Sequence, residues 1–175
     1  MLSLYEIKHD LKIPFPALEN FNTKTKTTYF HKWKKHIAES KKLEVYKLIK
    51  TDYEEENYLS QLRNFEERKT FTKFRISNHK LAIETGFYGK QNTQRNQRLC
   101  VFCNLKETES EKHMFTHCPL YRDLRLTLYE KAGPGVENND MLFFINSRDN
   151  IIIFYTSKFL LNCFKLRNKK SEEIS

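Results

Sequence analysis

The sequence predicts a mainly α protein, a helical domain with a small zinc knuckle embedded in it. Three observations point there. Four glycines and four prolines in 175 residues are too few for a chain that must turn after every strand. Apolar residues recur at three- and four-residue steps along most of the length. One stretch, LCVFCNLKETESEKHMFTHCPLY, gathers three of the four cysteines with two histidines. Apolar supply is lean at 39%, so fourteen Phe and nine Tyr must furnish most of the large core side chains.

In chain order, residues 1–25 read as irregular, with Pro14 and Pro16 limiting a helix there. Residues 26–98 form a helical region that holds a basic segment. Tyr29, Trp33 and Ile37 recur at helical spacing, with lysines facing outward between them. Residues 43–49 fit either a strand or a helix, and Tyr58, Leu59 and Leu62 mark a short helix. Asn64 followed by Glu67 is a helix cap with a capping partner. That helix would turn Phe71 and Phe74 inward and Arg68 and Arg75 outward. Ser77 or Asn78 caps another short helix through Leu81 and Ile83, ending at Gly86. Residues 89–98, GKQNTQRNQR, form a polar basic loop of the kind that often binds.

Residues 99–121 are the knuckle, and 122–175 are C-terminal helices with a frayed tail from Asn168. Pro119 can open a helix at its first position. Leu120, Leu124 and Leu128 are its inner stripe, and Gly133 with Pro134 end it. The last helix starts near Ser147 and turns Ile152, Tyr155, Phe159, Cys163 and Leu166 inward.

Charge is distributed unevenly. Residues 1–60 carry net +2, residues 61–105 net +6 and residues 106–175 net +1. Such a local excess is the footprint of a surface that meets phosphate, although a solvated basic face would look alike. Arg75, Lys80, Lys90, Arg95 and Arg98 are the candidate contacts, and His79 stands among them. No stretch approaches the ~20 apolar residues that span a bilayer. The start lacks the build of a signal peptide, so the expectation is an intracellular protein without a membrane partner. In that setting clustered cysteines suggest metal rather than disulfides.

The cysteine stretch reads C-x2-C-x9-H-x4-C. Two cysteines two residues apart can turn both sulfurs to one side, and His113 and Cys118 then complete a tetrahedron of soft ligands suited to Zn²⁺. Cys100, Cys103, His113 and Cys118 leave no position open for water, so one zinc ion would be structural and not catalytic. His117 is an alternative fourth ligand, because it lies four residues from His113. Cys118 is favoured, since Pro119 builds a turn there. Cys163 reads as a small core hydrophobe.

These residues resemble a known pattern. ENYLSQL around Leu59, the stretch F-x-x-F-R-I-S-N-H-x-L-x-I-E-x-G at 71–86, and the knuckle ending at Pro119 resemble the region downstream of the polymerase core in non-LTR retrotransposon reverse transcriptases. Residues 158–167 look like the usual end of such a reading frame. The resemblance covers about two-thirds of the chain. It implies a helical extension with a zinc knuckle near template RNA or target DNA, with the same four ligands. It also puts Arg75 and His79 on recurrent polar positions, while Phe87 stands where relatives commonly carry arginine.

The catalytic parts of such a polymerase are missing. Two-metal chemistry needs paired aspartates, and here Asp10, Asp52, Asp123, Asp140 and Asp149 stand alone. Neither a Walker lysine loop nor a nucleophile elbow occurs. The expectation is a non-enzymatic module that contacts RNA or DNA, single-stranded or structured, with Phe87, Tyr88 or Phe102 stacking on bases. The rivals are an interaction domain in which zinc serves only the fold, and a His-Asn-His type nuclease suggested by Asn78 and His79.

Overall fold

The computed structural model describes residues 15–40, 42–52, 54–86 and 93–174, with side chains of the first helix described from residue 23. The chain is mainly helical, and no strand occurs among these residues. It divides into two compact units, residues 1–41 and residues 42–175. No helix among the described residues is long and apolar enough to cross a membrane.

Among its described residues the first unit holds one long helix, α1 (Phe15–Glu39). It begins eleven residues before the helical region expected from residue 26. Pro16 is compatible with that, because a proline in the first turn gives up only an N–H that has no helical partner. The half-buried stripe is Phe30, Trp33 and Ile37, whereas Tyr29 is 55% exposed. Phe30 stacks on Trp33 with centroids 5.7 Å apart, and Lys34 Nζ sits 5.3 Å from the Phe30 ring.

The second unit opens with α2 (Glu44–Ile49) and α3 (Asn57–Gln61), then α4 (Phe65–Arg75) and the short α5 (Ala82–Thr85). The ambiguous 43–49 segment is therefore helix. After the knuckle come α6 (Arg122–Ala132), α7 (Met141–Ile145) and the spine of the unit, α8 (Asn150–Ile174). α8 packs against α3, α4, α6 and α7. It continues helical through 168–174, where a frayed tail was expected.

Caps set the entry points. Asn64 Oδ1 accepts from the N–H groups of Glu66 and Glu67 (3.0 and 3.1 Å), so α4 starts where the sequence places it. Glu67 does not reach back as a capping partner. It is buried, and Ser157 Oγ of α8 donates to its Oε2 at 3.4 Å. Asp149 Oδ1 accepts from Ile151 and Ile152 N–H and starts α8. Each cap is worth about 0.5–2 kcal/mol.

The core is aromatic. Phe115 packs on Phe159 and Phe144 (centroids 4.9 and 5.2 Å), and Tyr58 packs on Phe71 (4.9 Å). α8 buries Ile153, Thr156, Ser157, Phe159, Leu160 and Cys163, so its inner face is shifted partly from the predicted stripe. Ile152, Tyr155 and Leu166 pack at the margins of that face. Small buried side chains at 156 and 157 give little bulk between α8 and its neighbours, which lets backbones approach closely.

Arg75 is a correction. It is 3% exposed and faces the interior, not solvent. Its guanidinium pairs with Glu56 at 2.6 Å, donates to the carbonyl of Ile145 at the end of α7, and lies 5.1 Å from the Tyr58 ring. A guanidinium has five donors, so it can satisfy a helix-end carbonyl and a carboxylate at once.

Candidate metal centre

The knuckle begins as a short hairpin. Leu99 and Thr108 form an antiparallel bridge, Cys100 N–H donates to Glu107 O (2.8 Å), and Glu109 N–H donates to Arg98 O (2.9 Å). Cys100 and Cys103 sit in the loop of this hairpin, which turns back at Lys106 in a left-handed conformation (φ 54°). Backbone N–H groups two residues on, at Phe102 and Leu105, point to their sulfurs, and Leu120 does the same for Cys118. Such bonds stabilise the thiolate form that binds metals.

The other half comes from an unusual turn. Residues 113–117 wind as a π-helix, with Cys118 N–H bonded to His113 O at 2.8 Å, five residues back. This wide turn places Cys118, and not His117, beside the other three candidate ligands. An α turn would bring His117 under His113, whereas here the residue one full turn on is Cys118. Ser110 Oγ accepts from His113 N–H (3.1 Å) and steadies the entry.

The ligand atoms of Cys100, Cys103, His113 and Cys118 all lie within 4.8 Å of one another, an arrangement able to hold a metal ion. Cys100 Sγ is 3.9 Å from Cys118 Sγ, and Cys103 Sγ is 3.4 Å from His113 Nε2. Cys100, Cys118 and His113 are buried, and Cys103 is partly so. His117 is outside the group. Its side chain is 53% exposed, and its Nδ1 lies 2.9 Å from the Thr116 hydroxyl. Among the described residues no other His, Cys, Asp or Glu side chains gather in this way.

Electrostatics inside the group favour a cation. Cys100 and Cys118 are hydrogen-bonded: the bond, with burial, pushes the Cys100 thiol up, and it holds Cys118 below the usual thiol range. Burial also raises Cys103. Packing three sulfurs together therefore resists full ionisation until a divalent ion takes the place of the protons. Cys163 stands apart; it is fully buried, and burial pushes its thiol up.

Three supports have no signature in the ligand spacing. Glu107 Oε2 bonds His113 Nδ1 at 2.8 Å, which fixes the ring so that Nε2 faces the sulfurs. Its alternation with the hairpin residues is the one signal that could have found it. Arg167 of α8 clamps the hairpin through both oxygens of Glu109 (2.6 and 2.8 Å). Arg125 of α6 is also turned inward, donating to Met114 O and Cys118 O at the exit of the π turn.

The predicted nucleic-acid residues scatter. Arg75 is interior, as described. The His79 side chain is 2% exposed, with Nε2 2.9 Å from Glu111 Oε1. Arg98 is half-buried: its side chain donates to the carbonyls of Thr93 (2.9 Å) and Ile83. A Cβ at Gly86 would lie 2.6 Å from Arg98 Cδ, so that glycine serves close approach as well as ending a helix. Arg95 is exposed and pairs with Glu84 at 3.2 Å. Lys80 is exposed. Lys90, with Phe87 and Tyr88, lies outside the described residues, and Phe102 is half-buried under Arg167. The chain matches no protein-family model, no curated protein and no solved structure.

Proposed function

We propose that this chain is a non-catalytic module that contacts RNA or DNA and is locked in shape by one structural zinc ion. The observation that carries the reading is where its cations end up. Of the basic side chains in residues 61–105, Arg68, Arg75 and Arg98 are spent on internal hydrogen bonds. Lys73 and Lys80 stay exposed and line one cleft, with no ion pair among the described residues. A pair of unspent cations on one side of a rigid body is what a phosphate backbone meets.

Zinc is supported by donor chemistry and spacing. A tetrahedral zinc ion with Zn–S ~2.3 Å and Zn–N ~2.05 Å separates two sulfurs by ~3.8 Å and a sulfur from a nitrogen by ~3.6 Å. Two of the pairs, at 3.9 and 3.4 Å, fit those values. Three thiolates and one imidazole fill the coordination shell, which suits a structural role. The resemblance to the tail of a retrotransposon reverse transcriptase fits the same reading.

The test is a titration of metal-loaded protein with single-stranded RNA and DNA at two salt concentrations. Each phosphate contact should add about 0.7 to the slope of log affinity against log salt. Absence of salt-dependent binding with zinc present would leave the interaction-domain reading. That rival is favoured by Leu99, Val101 and Leu105, which are 44%, 70% and 48% exposed around the knuckle loop.

A further inference from the structure

α4 and α8 run against each other, and between their outer faces the surface opens into a cleft of about 390 Å³. That size lies within the ~300–1,000 Å³ of small-ligand sites. Lys69, Lys73 and Lys80 line it, and Glu66, its one carboxylate, bonds Lys69 at 3.4 Å. Asn78 and Asn168 add exposed amides, and half-buried Phe164 adds an aromatic wall. The His79 ring packs 5.9 Å from Phe164, and its Nδ1 is buried without a hydrogen-bond partner. Buried polar atoms are nearly always satisfied, and this nitrogen beside the cleft is an exception.

The chemistry of the lining selects the ligand. Lysines act as point charges on phosphate and lack the fork that arginine offers a carboxylate. An aromatic wall accepts the face of a base, and amides pair with base edges. A duplex keeps its bases stacked on one another and has no face to offer Phe164. The geometry points to a seat for one unstacked nucleotide of a single strand: Lys73 and Lys80 hold the flanking phosphates, Phe164 takes the base, and Asn78 and Asn168 meet its edge. This rests on the proposed nucleic-acid function and gives it a location.

The test uses the full, zinc-loaded chain, a single strand carrying 5-iodouracil, and a blunt duplex of equal length. Lys73→Ala with Lys80→Ala should lower the salt slope on the single strand by about 1.4. Asn168→Asp changes an exposed residue, so the fold stays intact by circular dichroism, and single-strand affinity should fall about tenfold. Irradiation should cross-link the strand to the peptide containing Phe164, and inorganic phosphate at equal phosphate concentration should not displace it. If the wild-type chain binds with salt dependence but the double variant keeps its slope, or the cross-link falls elsewhere, the seat is overturned and the module reading stands. Equal losses on the duplex overturn the choice of single strand, and displacement by phosphate reduces the cleft to a simple anion site. No salt-dependent binding by the wild type overturns both readings.

Discussion

Residues 98–121 and the α4–α8 pair belong to one compact unit yet hold their chain in different ways. The pair is cemented by buried side chains, Phe71, Phe74, Phe159 and Leu160 among them. Burying each such side chain is worth about 1.5–3 kcal/mol, and none of it depends on a metal. Within residues 98–121, Met114, Phe115 and Tyr121 are buried, but the hairpin loop has no such reserve: Leu99, Val101 and Leu105 stay out in solvent. Its order comes from a few hairpin hydrogen bonds and the Glu109–Arg167 clamp, and four side chains able to hold a metal ion converge there. Where apolar burial is scarce, a metal can supply the missing cohesion. In this unit the two solutions meet at Phe115, which leaves the π turn to pack between Phe144 and Phe159.

The sharpest way to separate the regions is to remove the metal. Freshly purified protein should contain about one zinc per chain, and a strong chelator should expose the amides of residues 98–121 to hydrogen exchange. Structural zinc contributes on the order of 10 kcal/mol, so protection there should collapse while α4 and α8 keep theirs. Cys118→Ser should reproduce that pattern without chelator. Simultaneous loss in both regions would show that the helical body depends on the knuckle.

Phe74→Ala attacks the other side. The residue is fully buried, and its removal should cost about 3–5 kcal/mol in denaturant melts. Most of the loss should persist without metal, although the Phe74 ring also lies 6.4 Å from Phe115 of the π turn.

Acid should strain a link between the two. Burial opposes ionisation of Glu111, but the hydrogen bond and charge of His79 outweigh it, so its carboxyl is held below the ordinary 4.5. A carboxyl whose native pKa is depressed stabilises the fold above its unfolded value and loses that contribution as pH falls through the native one. Comparing wild type with Glu111→Gln across pH 7 to 3 should show their stability difference shrinking once pH drops below about 4.5. A difference that grows on acidification would reverse the assignment.

The smallest effect belongs to His117. His117→Ala removes an exposed ring outside the cluster, and it should leave zinc affinity unchanged and stability within ~0.5 kcal/mol. Metal loss comparable to that of Cys118→Ser would put the fourth ligand at 117 and contradict the π-turn geometry.

Local signals were legible where one short stretch decides the outcome. Asn64 caps α4, Gly133 ends α6, and the spacing of Cys100, Cys103, His113 and Cys118 announces the cluster. What stayed hidden depends on partners far away in sequence. Arg75 looks like a solvent-facing residue until Glu56 and the carbonyl of Ile145 come within its reach. His79 turns inward because Glu111, thirty-two positions on, receives it. The full reach of α1 was missed because Pro14 and Pro16 suggested a break, while a proline in the first turn is tolerated.

The π turn also sets how much the spacing of the ligands could change. An α turn closes over ~3.6 residues, so His113 and Cys118 are separated by one residue more than an ordinary helix needs. The surplus is at the surface: Thr116 folds its hydroxyl back onto Lys112 O, and His117 projects into solvent. A chain that lost Thr116 could tighten into an α turn and still bring imidazole and thiol to the same side. A chain that gained a residue there would carry the cysteine ~100° further around the helix, away from its partners. The centre is thus asymmetric toward changes in length, open to shortening and closed to growth.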